Sequence, residues 1–193
     1  MTAHNSGQTI NYSKIADSLG LSHNTIRHFT EIMNQTFMLR SVPPYVSNFG
    51  KRLVKAPKVF LRDTGLMHSL LDIDSYNQLL GHPSYGQSWE SFVCEQLCGT
   101  LDKRWQAFFY RTEKGSEIDL ILVKRTIIIA IESKSSTSPV LNKGFWYALD
   151  DIKPTQTWIA ASVEKKYPLC AEKNVFVGNP AHIIDAINTL STE

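Results

Sequence analysis

The sequence predicts a two-part α/β (α+β) protein. An N-terminal winged helix-turn-helix is expected over residues 10–80, and a second domain with a central mixed sheet flanked by helices over residues 84–193. Three observations lead there. Between Ile10 and Gln35, two amphipathic segments are separated by one glycine turn. Between Glu117 and Ser133, two apolar, β-branched runs flank a short charged break, which is a hairpin signal. Helical periodicity around residues 87–101 and 141–151 brackets these strands, so helices cover a sheet.

Residues 1–9 are polar and read as a disordered leader. In the first helix Tyr12, Ile15, Ala16 and Leu19 recur at helical spacing, Asn11 caps the start, and Gly20 supplies the left-handed end. Ser22 caps a second helix over residues 23–35, with Ile26, Phe29, Ile32 and Met33 on one face. Its first turn carries Ser22, His23, Asn24, Thr25 and Arg27, polar side chains suited to base edges and phosphates. Any exposed helix start is also polar, so DNA contact is one of two readings.

Strands around residues 36–42 and 59–62 follow, and two strands after the second helix suggest a wing. Their connection holds Lys51, Arg52, Lys55 and Lys58. Such a cluster neutralises phosphates, but it also suits a solvated loop or a surface that docks another protein domain. A short helix begins near Asp63, and residues 72–84 read as an irregular boundary.

The second domain opens with a helix over residues 87–101, with Trp89, Phe92, Val93, Leu97 and Leu101 along one stripe and Glu90 beside it. A strand over residues 105–111, the hairpin, a helix, two strands near 157–161 and 174–177, and a closing helix from Pro180 complete the chain. The continuous apolar run Ile127–Ile131 implies a central strand buried on both faces. Asp119, Glu132 and Lys134 sit where the apolar runs end. With Lys124 and Arg125 as the turn, Asp119 falls opposite Ala130 and shares a face with Glu132 and Lys134. The bland alternative is an exposed Glu–Lys pair worth under about 1 kcal/mol.

Composition bounds the function classes. The chain has 193 residues and a formal net charge of +2, too small by itself to indicate nucleic acid. No apolar run approaches the roughly 20 residues that cross a bilayer, and the N-terminus lacks a signal peptide's apolar core. A cytoplasmic protein with no membrane partner is therefore expected. Cys94, Cys98 and Cys170 do not make a disulfide framework. Cys94 and Cys98 lie four apart on a helix, a spacing that reaches one metal, but buried small hydrophobes are the better reading.

Two carboxylates on adjacent strands, near a helix carboxylate, suit Mg²⁺ or Mn²⁺, since hard ions take oxygen ligands. An acid followed a dozen residues later by Glu-x-Lys on an apolar strand resembles the PD-(D/E)XK nuclease superfamily. The resemblance implies catalytic roles for Glu90, Asp119, Glu132 and Lys134, with Asp119, Glu132 and Glu90 as metal ligands. The proline of the motif's name has no counterpart before Asp119.

From about Ile10 to Pro180 the chain also resembles the C-terminal region of a bacterial and archaeal family of AAA-type ATPases. Gly50-Lys51-Arg52-Leu53, Asp63-Thr64-Gly65-Leu66, Gly86-Gln87-Ser88-Trp89-Glu90, Glu117-Ile118-Asp119-Leu120 and Glu132-Ser133-Lys134 carry that likeness. It implies a winged helix and a nuclease-like domain beside an ATPase module in cis or trans. No Gly-x-x-x-x-Gly-Lys-Ser/Thr loop occurs, so no ATP binding is expected in these residues. The chain is then a piece of a longer ATPase or a remnant without the motor. Three functions stay open: a DNA-associated module with a metal-dependent phosphodiesterase site, a catalytically silent regulatory or interaction module, and a helix-turn-helix regulator whose second domain senses a ligand.

Overall fold

A computed structural model of the chain describes residues 2–46 and 53–191, with side chains through residue 190. Two compact units divide it. The first comprises Met1–Pro43 and Lys55–Phe92, the second Pro44–Val54 and Val93–Glu193. The fold class is the expected mixture of helices with a mixed sheet.

In the first unit, residues 2–9 are ordered, which corrects the expected leader. Ala3–Asn5 form a 3-10 turn, and β1 (Gln8–Thr9) pairs antiparallel with β3 (Lys58–Leu61), Gln8 opposite Val59. The polarity that suggests disorder serves buried hydrogen bonds. Ser6 is fully buried, its Oγ accepting from the Leu61 N–H at 3.0 Å and lying 2.9 Å from Ser91 Oγ. Helix α1 (Tyr12–Leu19) starts at Asn11, whose side chain accepts from the Lys14 N–H at 2.9 Å, and ends at Gly20 with φ +65°. Helix α2 spans His23–Gln35, as its periodicity predicts. Strand β2 (Leu39–Val42) pairs antiparallel with β3, Leu39 opposite Leu61 and Val42 opposite Lys58, so the small sheet runs β1-β3-β2.

Helix α3 (Thr64–Ser69) is capped by Asp63. The stretch expected to be irregular contains helix α4 (Tyr76–Gly81). Ser75 and Gln78 form a capping box there, satisfying amides at both ends of the first turn. Leu39, Val59, Leu61, Met67, Leu71 and Ile73 make this unit's core. Helix α5 (Tyr85–Thr100) follows, and the division between the units falls within it, beyond the boundary expected over residues 72–84. Cys94 on α5 is buried and Cys98 half-buried, as expected of small hydrophobes.

The second unit holds a six-stranded sheet in the order β4-β5-β6-β7-β9-β8. Strands β4 (Gln106–Arg111), β5 (Glu117–Lys124) and β6 (Ile127–Ser133) are antiparallel neighbours. Strand β7 (Gln156–Ala160) runs parallel to β6 and to β9 (Val175–Gly178). Ile129, Ala130 and Ile131 are fully buried, as the continuous apolar run requires of an interior strand. Helix α6 (Lys143–Ile152) follows β6, and its Phe145, Ala148, Leu149 and Ile152 share one core cluster with Ile121, Ala130, Ile159 and Val177 of the sheet. Each large apolar side chain buried there contributes about 1.5–3 kcal/mol. Helix α7 (Pro180–Ser191) closes the chain.

Strand β8 (Tyr167–Cys170) is an addition to the expected set. It lies at the sheet edge, is largely exposed, contains Pro168 and follows Lys165 and Lys166, so it shows no apolar alternation to read. At the other edge, residues 44–46 and 53–54 belong to this unit and not to a wing of the first. The Tyr45 N–H donates to Phe109 O at 2.6 Å and the Val54 N–H to Arg111 O at 3.1 Å, occupying carbonyls that β4 would otherwise leave open. No helix among the described residues is long and apolar enough to cross a membrane.

Candidate functional site

The β5–β6 hairpin turns at Arg125 and Thr126, with Arg125 at φ +55°. Lys124 pairs with Ile127, and Ile121, not Asp119, stands opposite Ala130. The expected register is thus shifted by two residues. The reason is Lys124, which looks like a turn residue but is a buried strand residue. Its Nζ lies 3.3 Å from Asp102 Oδ2 and 5.5 Å from the centre of the Trp105 ring. A shift of two keeps every side chain on its face, and it moves Asp119 towards Glu132.

A second local feature acts on Asp119. Phe108 pairs with Ile121, yet Tyr110 pairs with Ile118, so β5 has one more residue than β4 between these rungs. The extra residue belongs to Asp119–Leu120, opposite Phe109. Such bulges bend a strand and re-aim a side chain. Here Asp119 Oδ2 accepts from the Ser133 N–H at 2.9 Å. Ser133 lies between Glu132 and Lys134. Glu132 is only 7% exposed, and its Oε1 accepts from Lys134 Nζ at 2.8 Å. The Lys134 N–H donates to Ala160 O at 2.9 Å, fixing the lysine's backbone on β7. Asp119, Glu132 and Lys134 are therefore brought together at the ends of two strands.

Glu90 sits on α5 within the first unit. Its Oε1 accepts from Lys58 Nζ at 2.9 Å, with the lysine side chain 3% exposed and the glutamate 17%. This pairing was not legible, because Lys58 reads as part of a basic loop. Among the described residues, no group of three or more His, Cys, Asp or Glu side chains is arranged to hold a metal ion. Mg²⁺ often binds through only one or two carboxylates, together with water and substrate phosphate oxygens. Asp119 and Glu132 supply two carboxylates at this corner, short of a closed protein cage.

The residues expected at DNA are placed as follows. Ser22 Oγ accepts from the Thr25 N–H at 3.1 Å and lies 2.8 Å from Thr25 Oγ1, so both side chains form the α2 cap. His23 meets the Tyr12 ring edge-on at 5.4 Å, and the Arg27 guanidinium lies 5.7 Å from the same ring's centre. Ser22, His23, Asn24 and Arg27 are exposed. Lys51 and Arg52 lie outside the described residues.

A helix-bearing unit with a three-stranded sheet, and a mixed-sheet unit with an acidic corner, define a two-unit α+β protein. Residues 85–181 match the family described as a domain of unknown function, DUF4143, and the chain belongs to that family, whose domain is found C-terminal to AAA ATPases. Residues 1–77 match a further domain of unknown function, DUF8612. Among curated relatives, the uncharacterized proteins Rv2008c of Mycobacterium tuberculosis and Mb2031c of Mycobacterium bovis are each 32% identical over 169 residues. That match covers 88% of this chain but 38% of each relative, so the chain spans well under half of their length. No solved structure matches the chain.

Proposed function

We propose that the chain is a DNA-associated module of an ATPase-family protein, with a phosphodiester-directed site at Asp119, Glu132 and Lys134. One observation carries the reading: the Asp119 carboxylate is bonded to the amide of the residue between Glu132 and Lys134. A bulge, a strand end and a half-buried lysine thus converge on one corner. Asp119 and Glu132 would hold Mg²⁺ or Mn²⁺ together with a substrate phosphate. The ion supplies Lewis acidity and a lowered pKa for water. Lys134, held by Glu132, places a cation where charge builds on a phosphate oxygen. The exposed start of α2, with Asn24 and Arg27, contributes nucleic-acid contact in this reading.

Plasmid nicking with Mg²⁺ or Mn²⁺ tests the site. The wild-type chain is expected to nick, and Asp119→Ala and Glu132→Ala are expected to lose nicking while remaining folded by circular dichroism. Equal nicking by all three, or by none, removes the catalytic claim.

A second reading is favoured by the low exposure of Glu132 and its internal pairing with Lys134. In it the corner is structural, and the chain is a silent regulatory or interaction module of an ATPase. DNA titrations at several salt concentrations separate the two. Phosphate contacts make affinity fall steeply with salt. Absence of binding at low salt favours the silent module.

A further inference from the structure

The first unit carries an apolar groove that the described residues do not fill. Its volume is about 460 Å³, and its walls include Ile15, Leu19, Leu21, Phe29, Met33 and Leu39. On α2 the apolar stripe divides. Ile26 is buried, but Phe29, Ile32 and Met33 remain 48%, 40% and 39% exposed. Leu19, at the end of α1, is 52% exposed. Two adjacent helices thus show large side chains beside one cleft. An apolar helix stripe is stable in water when another element covers it.

We infer that this groove receives an amphipathic helix from the ATPase part of the longer family members. The inference rests on family membership and the groove, and is independent of the acidic corner. The family's domain is found C-terminal to AAA ATPases, and more than half of each curated relative lies outside the match, which is where such an ATPase part would lie. Groove recognition of this kind reads apolar anchors spaced i, i+3, i+4 and i+7 along the incoming helix. Lys14 is the one charged side chain among the groove's described lining residues, so the helix carries an acidic residue beside its apolar stripe.

A fluorescent peptide of roughly 25 residues, about seven helical turns, is made from the Mycobacterium tuberculosis relative. It covers the segment immediately N-terminal to the matched region. Anisotropy titrations use the complete 193-residue chain, a scrambled peptide, and the variants Phe29→Glu and Met33→Lys. Saturable binding of the native peptide is expected, with none by the scrambled one. Either variant, verified as folded by circular dichroism, is expected to weaken binding about 30-fold, the loss typical of a central aromatic or apolar anchor. No binding, equal binding of the scrambled peptide, or undiminished binding by both folded variants overturns the inference. Sedimentation showing a dimer that Phe29→Glu dissociates also overturns it, since the groove would then belong to a second copy.

Discussion

The Asp119 carboxylate accepts a hydrogen bond from the backbone N–H of Ser133 at 2.9 Å. A side chain thereby joins β5 and β6 where their ladder ends, next to Glu132 and Lys134. Asp119→Asn keeps an oxygen for that amide, whereas Asp119→Ala leaves a part-buried donor unsatisfied. Urea unfolding is expected to show a loss of about 1–3 kcal/mol for Ala and under about 1 kcal/mol for Asn. In the phosphodiester reading both variants lose nicking, because both lose the negative charge. Stability and chemistry are thus separable at one position.

Lys58 and Glu90 form the most enclosed ion pair described in the first unit. Truncating one partner leaves the other charge in a poorly solvated site. Glu90→Ala is expected to cost about 3 kcal/mol in equilibrium unfolding, whereas the double variant Lys58→Met, Glu90→Leu is expected to recover most of it. If the double variant is no more stable than the single, the pair is not what holds this region.

Tyr110 is buried, and its O–H donates to Asp151 Oδ2 at 2.8 Å. Burial, first, and then the hydrogen bond and negative charge of Asp151 push its pKa above the ordinary tyrosine value. The folded state therefore holds this proton more tightly than the unfolded state. The resulting stability is fully present below the unfolded value of about 10 and is lost as pH rises through the folded value. Ultraviolet titration is expected to show Tyr110 ionising late, and only as the fold opens. Tyr110→Phe is expected to remove that late phase and to flatten the alkaline decline in stability.

Gly144 lies in the first turn of α6, where an added Cβ would stand 2.9 Å from the carbonyl oxygen of Gly115. Both sides of that contact are backbone, so neither relaxes cheaply. Gly144→Ala is expected to destabilise by about 1–3 kcal/mol, the usual effect of overpacking. Gly86, in the first turn of α5, meets nothing within 4 Å. Gly86→Ala is expected to be neutral or to stabilise by up to about 1 kcal/mol. Paired thermal melts of the two variants check both.

Local signals in the sequence account for most of the fold. Helices α1 and α2 follow from caps and spacing, α6 corresponds to the helix expected over residues 141–151, and β6 follows from its unbroken apolar run. The features that escaped reading depend on distant partners. Lys124 is a strand residue because Asp102 and the Trp105 ring receive its ammonium. Glu90 is engaged by Lys58, 32 positions earlier. The bulge at Asp119–Leu120 exists only relative to β4, and no property of β5 alone encodes it. For the site, face parity was legible because a two-residue slip preserves it. The bond from Asp119 to the Ser133 amide was not, since it depends on that bulge. Helix α4 was legible in principle, through Ser75 and Gln78.

The two margins of the six-stranded sheet have a consequence for assembly. On the β4 side, Tyr45 and Val54 already occupy backbone carbonyls of the strand. On the β8 side, Pro168 interrupts the row of amide donors, and Lys165 and Lys166 precede it in solvent. Prolines and lysines at such margins discourage templated strand addition. The sheet is thereby guarded against fibre-like growth at both described margins.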